Sequence, residues 1–287
     1  MARRAPCFDP GRVPCWGIDE PKGVIVILDL FRLDGQVAIV TGAGRGIGAA
    51  SALALAQCGA DVVIASRTSA DLDLVAQRVE VTGRRAVSVV GDLMDLDVVR
   101  SLVDVAVREF GRVDVVVNNV GGAIPLPLLD TPAAYLEEAF HFNVTTTHAL
   151  VVAAVPVMLE YGGGSIVNIA SVMGRVTGRG YAAYGSVKAA MLHYTRLAAK
   201  DLAPRIRVNA IAAGSTATSA LEIVTGTPEL KLMMEDLTPL HRIAEPEEIA
   251  AGVVYLASRA GAFMTGKVLE IDGGTDAPTL DFQLPDL

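Results

Sequence analysis

From Gln36 onward the chain alternates between short, uninterrupted apolar runs and longer segments that mix apolar with polar positions. The runs are VAIV (37–40), DVVIAS (61–66), AVSVV (86–90), VDVVVN (113–118), SIVNIA (165–170), IRVNAI (206–211) and KVLEID (267–272). A strand covered on both faces has no solvent side, so it reads as continuous rather than alternating hydrophobicity. Helix-length segments separate the runs. One follows a glycine-rich turn and reaches Cys58. The others cover Ser69–Thr82, about 95–110, 131–160 with a break near Asn143, 181–202 and 245–258. Strand–helix alternation predicts an α/β domain with one parallel sheet, doubly wound with helices on both faces and right-handed crossovers. No repeat of 20–50 residues is visible.

Composition narrows the picture. The chain has 287 residues, 52% of them hydrophobic, which suits one domain with a large core. Residues 1–23 carry Pro6, Pro10, Pro14, Pro21, two cysteines and the only Trp, with no period. They read as a poorly ordered extension, with Val24 a candidate start site. The expected division is an extension over 1–32 and a catalytic domain over 33–287, including a flap at 219–240. Net charge is −8 without a Lys/Arg block, so nucleic acid is not an expected partner. The apolar run Ala149–Leu159 is too short for a membrane span. Arg3 and Arg4 lead into Pro, Cys, Asp and Gly rather than a signal h-region. Cys7, Cys15 and Cys58 are odd in number and lack His partners at metal spacing, which predicts free thiols in the cytoplasm and no metal site.

TGAGRGIG (41–48) sits between the first strand and the first helix. Glycine lets a backbone turn tightly and approach a phosphate, and the helix beyond offers free N–H groups and its positive dipole end. In this context Gly42, Gly46 and Gly48 predict a Rossmann-type dinucleotide site. Its usual spacing is GxGxxG; here it is Gly42-xxx-Gly46-x-Gly48. NAD-specific folds place Asp or Glu at the end of the second strand, to accept from the ribose 2′-OH. Here Ser66 and Arg67 stand at that place, and Arg45 lies inside the turn. Two guanidiniums suit a 2′-phosphate, so the predicted cofactor is NADP(H).

Tyr184 and Lys188 are four apart on an otherwise apolar helix and leave the same face. With TGAGRGIG, GDL (91–93), NNVGG (118–122), HFNV (141–144), NIASV (168–172), YGSVK (184–188) and IDGG (271–274) in this order, the chain resembles the short-chain dehydrogenase/reductase family over almost all of residues 33–275. Ser171 lies 13 residues before Tyr184, the spacing of that family. The resemblance implies that Tyr184 donates a proton to a carbonyl as hydride arrives. Ser171 holds the carbonyl oxygen, Lys188 holds the nicotinamide ribose, and Asn143 carries a water that links Lys188 to solvent. A lysine ammonium beside the phenol also favours phenolate. The further implied cofactor contacts are Ile47, Asp92 at the adenine amine, Leu93, Asn119, Gly121, Gly214, Thr216 and Thr218. Asn118 is expected to bond backbone and steady the strand end. Asp95 makes a better helix cap than Asp92.

Two positions depart from the family pattern. Val120 replaces the usual alanine of NNAG. Ala213 stands where Pro-Gly is usual, and loss of the pre-set proline turn predicts a freer loop. The segment SALEIVTGTPELKLMMEDLTPL (219–240) resembles a substrate flap. Leu221, Ile223, Val224, Leu230, Leu232, Met233 and Met234, with Ile124 and Met173, predict an apolar pocket. An acidic carrier protein needs basic residues to dock. MLEYGGGS (158–165) has none, which leaves Arg175, Arg179 and Arg205 to compensate. The expected activity is therefore reduction of a hydrophobic ketone, such as a steroid, or oxidation of the matching secondary alcohol. A 3-oxoacyl thioester reductase is the alternative, and a non-catalytic NADP(H)-binding regulator is the reading from another class. Small or apolar residues on several faces of the helices at 143–160 and 181–202, with the pairing the family shows there, predict a homotetramer.

Overall fold

The computed structural model describes residues 26–222, 226–280 and 284. Residues 1–23, Val24, and Ile223 and Val224 of the expected flap lie outside the described residues. Seven parallel strands form one sheet: β1 (Val37–Thr41), β2 (Asp61–Ser66), β3 (Ala86–Val90), β4 (Val115–Asn118), β5 (Gly164–Ser171), β6 (Ile206–Ala213) and β7 (Val268–Ile271). Their order is β3-β2-β1-β4-β5-β6-β7, the Rossmann-type arrangement.

Side chains alternate across the sheet and feed two cores. Ala38, Val40, Val62, Ile64, Val115 and Val117 face one core with Leu55 of α1 (Gly46–Gln57) and Leu72 of α2 (Ser69–Glu80). Val37, Ile39, Val63 and Val116 face the other. That core takes Leu102 of α3 (Leu96–Phe110), Leu150 and Met158 of α5 (Thr146–Glu160), and Ala199 of α6 (Ala182–Leu202). The five inner strands bury both faces, which is why their apolar runs are continuous, whereas the edge strands β3 and β7 stay partly exposed.

The expected break near Asn143 is a π turn, His141–Thr145, joining α4 (Ala133–Phe140) to α5. The stretch Ala133–Glu160 is long and apolar enough to cross a bilayer by length and composition, but Leu150, Val151, Ala154 and Met158 are buried in the core. In the expected flap, a 3-10 turn (Ser219–Leu221) precedes α7 (Pro228–Asp236). Met234 is buried there against Ile243, with Leu221 and Leu230 packed around them, whereas Leu232 points to solvent. α8 (Pro246–Ala257) follows, with Tyr255 on it. Ahead of Leu33, Ile27–Phe31 form a 3-10 turn whose Phe31 ring lies 6.3 Å from that of Tyr255.

The strand order reverses direction at β1, which pairs with β2 on one side and β4 on the other. In such sheets the crevice beyond the strand C-termini at this switch is where ligands bind. The glycine turn, Asn119–Gly122 and Ser171 all lie there.

Candidate active site

Ser171 ends β5 and accepts a hydrogen bond from Met173 N at 3.2 Å, which fixes its hydroxyl at the head of a 3-10 turn (Val172–Gly174). That turn packs flush on α6. A Cβ on Gly174 would come within 2.7 Å of the Lys188 backbone, so only glycine lets the two segments meet. The contact sets Ser171 close enough to the Tyr184 phenol to act on its proton affinity. One turn further, Lys188 is buried, and its Nζ donates to Ile169 O at 3.3 Å and lies 5.7 Å from the centre of the Tyr184 ring.

The electrostatics differ from the simple Tyr–Lys expectation. Burial is the largest influence on the Tyr184 phenol and pushes it above its ordinary value. The opposing downward pull comes from Ser171, not from the ammonium. Burial also lowers Lys188 from 10.5 to about 8, because a charged amine is poorly solvated inside the protein.

Asn143 lies fully buried in the π turn. Its Nδ2 donates to Gly122 O at 2.9 Å and Ala139 O at 2.8 Å, and its Oδ1 accepts from Gly122 N at 2.9 Å. The side chain therefore bonds backbone and pins the Gly121–Gly122 loop. Gly121 has φ +152°, and a Cβ there would meet Asn143 Oδ1 at 2.5 Å and Lys188 Nζ at 3.2 Å. Glycine is what lets this loop rest on Lys188.

At the glycine turn, Gly42 and Gly46 have φ of +64° and +53°, conformations that favour glycine. A Cβ on Gly48 would collide with the Gly42 carbonyl. Arg45 caps α1 with extended backbone and no side-chain bond to the helix, so the N–H groups around Gly46, Ile47 and Gly48 face the crevice without intrahelical acceptors. This cradle fits a pyrophosphate. Thr218 leans against Gly46, and Thr216 Oγ1 donates to Gly214 O at 3.0 Å.

Asn119 holds the two strand ends together: its Nδ2 donates to Thr41 O at 3.0 Å and Gly42 O at 3.1 Å. The backbone-bonding role expected of Asn118 thus falls to its neighbour. Asn118 instead donates to the Asn168 side chain at 2.8 Å, which in turn donates to Thr195 at 2.9 Å, because Asn118 points into the buried sheet. Asp92 accepts from Met94 N, Leu93 is buried, and Asp95 caps α3 by accepting from Asp97 N at 2.8 Å. Ala213 stands within the sheet rather than in a proline turn. Without proline, β6 continues through Ala213, which pairs with both Ser171 and Ile271.

Arg45 and Arg67 flank the end of β2 differently. Arg67 is exposed, whereas Arg45 Nε pairs with Asp71 Oδ2 at 3.1 Å. Asp71 escaped the sequence reading; its only signal is a carboxylate in the first turn after the second strand. The C-terminal segment was also missed. Tyr181 OH donates to Leu280 O at 3.2 Å, Thr279 and Ser215 hydroxyls lie 2.8 Å apart, and Leu280 joins the Met234–Ile243 cluster. This tail ties the flap to the loop before Tyr184, whose ring lies 6.4 Å from that of Tyr181. No periodicity marks such a contact.

A family model described as enoyl-(acyl carrier protein) reductase matches residues 42–276. A solved short-chain type dehydrogenase/reductase from Mycobacterium marinum is 36% identical, with a TM-score of 0.83 over 88% of this chain and 100% of that one. The chain belongs to the short-chain dehydrogenase/reductase family. It is an oxidoreductase of the type that acts on a CH–OH group. An uncharacterized oxidoreductase of Mycobacterium tuberculosis is 60% identical over 263 residues, 91% of this chain and all of the relative. A 7α-hydroxysteroid dehydrogenase solved with NADH and 7-oxo glycochenodeoxycholic acid is 36% identical, with a TM-score of 0.84 over 88% of this chain and 98% of that one. A Pseudomonas aeruginosa RhlG/NADP complex is 32% identical, with a TM-score of 0.80 over 86% and 98%. Family members of this fold thus include one bound to NADH and one bound to NADP.

Proposed function

We propose that the protein is a cytoplasmic NADP(H)-dependent reductase of a hydrophobic ketone, steroid-like in size, working reversibly on the matching secondary alcohol. The observation that carries this reading is the Ser171–Tyr184–Lys188 set, with Ser171 beside a phenol that burial favours in its neutral form. The cofactor, when bound, supplies the hydride. Ser171 positions the substrate carbonyl oxygen, and Tyr184 donates its proton to that oxygen. Lys188 holds the nicotinamide ribose, and Asn143 keeps the Gly121–Gly122 loop seated against Lys188.

Substrate choice rests on what surrounds the crevice. Ile124, Leu128 and Leu129 are exposed beside the loop after β4, and Leu126 N bonds Gly180 O across to the loop before α6. The relative bound to a 7-oxo bile acid supports a bulky ring ketone. Arginines that would have to receive an acidic carrier already have internal partners. Arg175 pairs with Asp272, Glu270 and Asp276, and Arg205 donates to Gly162 O and Leu159 O. This weighs against the carrier-bound thioester. Following NADPH absorbance with a 7-oxo bile acid, a simple cyclic ketone and a β-ketoacyl thioester tests the choice. Turnover of the thioester alone would reverse it.

Arg45 and Arg67 support NADP(H). Charge-assisted hydrogen bonds to phosphate contribute about 1.5–3 kcal/mol each, so two partly exposed ones favour NADPH over NADH by roughly ten- to a thousandfold at low salt. Arg67→Ala should weaken NADPH and leave NADH almost unchanged. Ser66→Asp should reverse the preference, since its carboxylate accepts from the 2′-OH and repels the 2′-phosphate. Comparing kcat/KM for the two cofactors checks both; equal use by the wild type rejects the assignment.

A homotetramer with two-fold axes is part of the same reading. Exposed Val152 and Leu159 on α5 and Leu197 on α6 give those helices apolar outer surface to cover. Light scattering after gel filtration should report four subunits; a monomer at micromolar concentration refutes it.

A further inference from the structure

The turn, strand end and helix around the adenine-ribose position close on one another. A Cβ on Gly44 would lie 2.8 Å from Ser66 Oγ and 3.1 Å from Asp71 Cβ, so the glycine turn is wedged between the end of β2 and the first turn of α2. Asp71 is therefore a third wall of this position, beside the two arginines. Its carboxylate is turned to Arg45, with Nε and Oδ2 3.1 Å apart. The carboxylate is only about a quarter exposed, while the guanidinium is largely exposed. We infer that Asp71 is a specificity-determining residue for the cofactor, a built-in counterweight that holds the preference for NADPH below what Arg45 and Arg67 alone would give. The inference rests on the NADP(H) reading above.

The physical argument has two parts. A guanidinium already paired with a carboxylate must leave or share that partner to bind a 2′-phosphate. The phosphate also brings a second negative charge into a pocket that Asp71 has made less positive. NADH carries a hydroxyl at the same place and meets neither penalty. With Ser66 where NAD-specific folds have an acid, Asp71 brings a carboxylate against the same glycine turn, a candidate acceptor for that hydroxyl. The residue thus lowers affinity for the phosphorylated cofactor and supports the other.

A plainer role exists for an acid in the first turn of α2, where it complements the helix dipole. The two roles separate by measurement. Dissociation constants of NADPH and NADH are determined by calorimetry on the full chain at low salt, for wild type, Asp71→Asn, Asp71→Ser, Arg45→Ala and Arg67→Ala, with melting temperatures alongside. Asp71→Asn keeps an acceptor for Arg45 and removes the charge. Asp71→Ser keeps a helix-start residue and removes the ion pair. Both should tighten NADPH about three- to tenfold while NADH is unchanged or weaker, and high salt should shrink the gain. If both leave the ratio of the two constants unchanged while the arginine variants weaken NADPH selectively, the counterweight falls and the arginine reading stands. If none of the four variants moves the ratio, both fall. Equal weakening of both cofactors with a lower melting temperature assigns Asp71 to the helix alone and overturns the proposal.

Discussion

Tyr184→Phe is expected to cut kcat for ketone reduction at least about a thousandfold while leaving NADPH affinity within about twofold of wild type. The ring keeps its contacts: Tyr181 lies 6.4 Å away and Lys188 Nζ lies over its face. Ser171 still accepts from Met173 N, so the turn that carries it has an anchor without the phenol. What disappears is the proton donor. Because burial raises the phenol above its ordinary value, Tyr184 is protonated throughout neutral pH and ready to donate in the reductive direction. Alcohol oxidation needs the phenolate, so its rate should climb with pH over a range where reduction is flat or falling. Ser171→Ala should cost less, about ten- to a hundredfold, since it orients the carbonyl but supplies no proton. Steady-state rates with calorimetric cofactor binding check this. A Tyr184→Phe enzyme that keeps more than a tenth of wild-type kcat has another acid.

The phenol also shows where sequence reading stops. The inner strands were legible because they bury both faces. The relevant signal, an unbroken apolar run, is local to four to eight residues. The candidate catalytic side chains stand out through spacing, since Tyr184 and Lys188 share one helix face and Ser171 ends a recognisable strand. The direction of the Tyr184 shift was not legible. Pairing with a lysine suggests a lowered value, but desolvation depends on the three-dimensional surroundings of the phenol, which spacing along the chain does not carry. Asn118 and Asn119 were likewise confused in role, because only the three-dimensional strand end decides which amide points into the sheet and which reaches Thr41 and Gly42. The ties from Tyr181 and Arg175 to the C-terminal segment span about a hundred residues and leave no periodic trace. Ala213 shows a related limit. Missing proline was read as loss of constraint, whereas an alanine N–H and open φ let the strand run on.

Lys188→Met should abolish most activity and weaken NADPH, yet raise the melting temperature near neutral pH. The lysine is buried, its Nζ donates to Ile169 O, and burial lowers it from 10.5 to about 8. A lysine whose folded value lies below its unfolded value destabilises the fold where it is charged. The full cost applies below about pH 8 and is relieved as pH rises from there toward 10.5. A shift of this size corresponds to about 3 kcal/mol, an upper figure because the bond to Ile169 offsets part of it. Methionine removes the charge and keeps the volume, so the variant should melt several degrees higher at pH 6.5 and lose about half of that advantage by pH 9.5. Activity follows the opposite logic. On the proposed reading the ammonium that costs stability is the form that holds the ribose, so wild-type kcat/KM for NADPH should fall in a one-proton step as pH rises through about 8. With NADPH bound, its negative charge favours the ammonium, so the same step in kcat should lie at higher pH. A kcat/KM profile flat from pH 7 to 9, or a methionine variant that melts below wild type at pH 6.5, would show that Lys188 is neutral or structurally required. Its assignment as the charged partner of the cofactor would then fail.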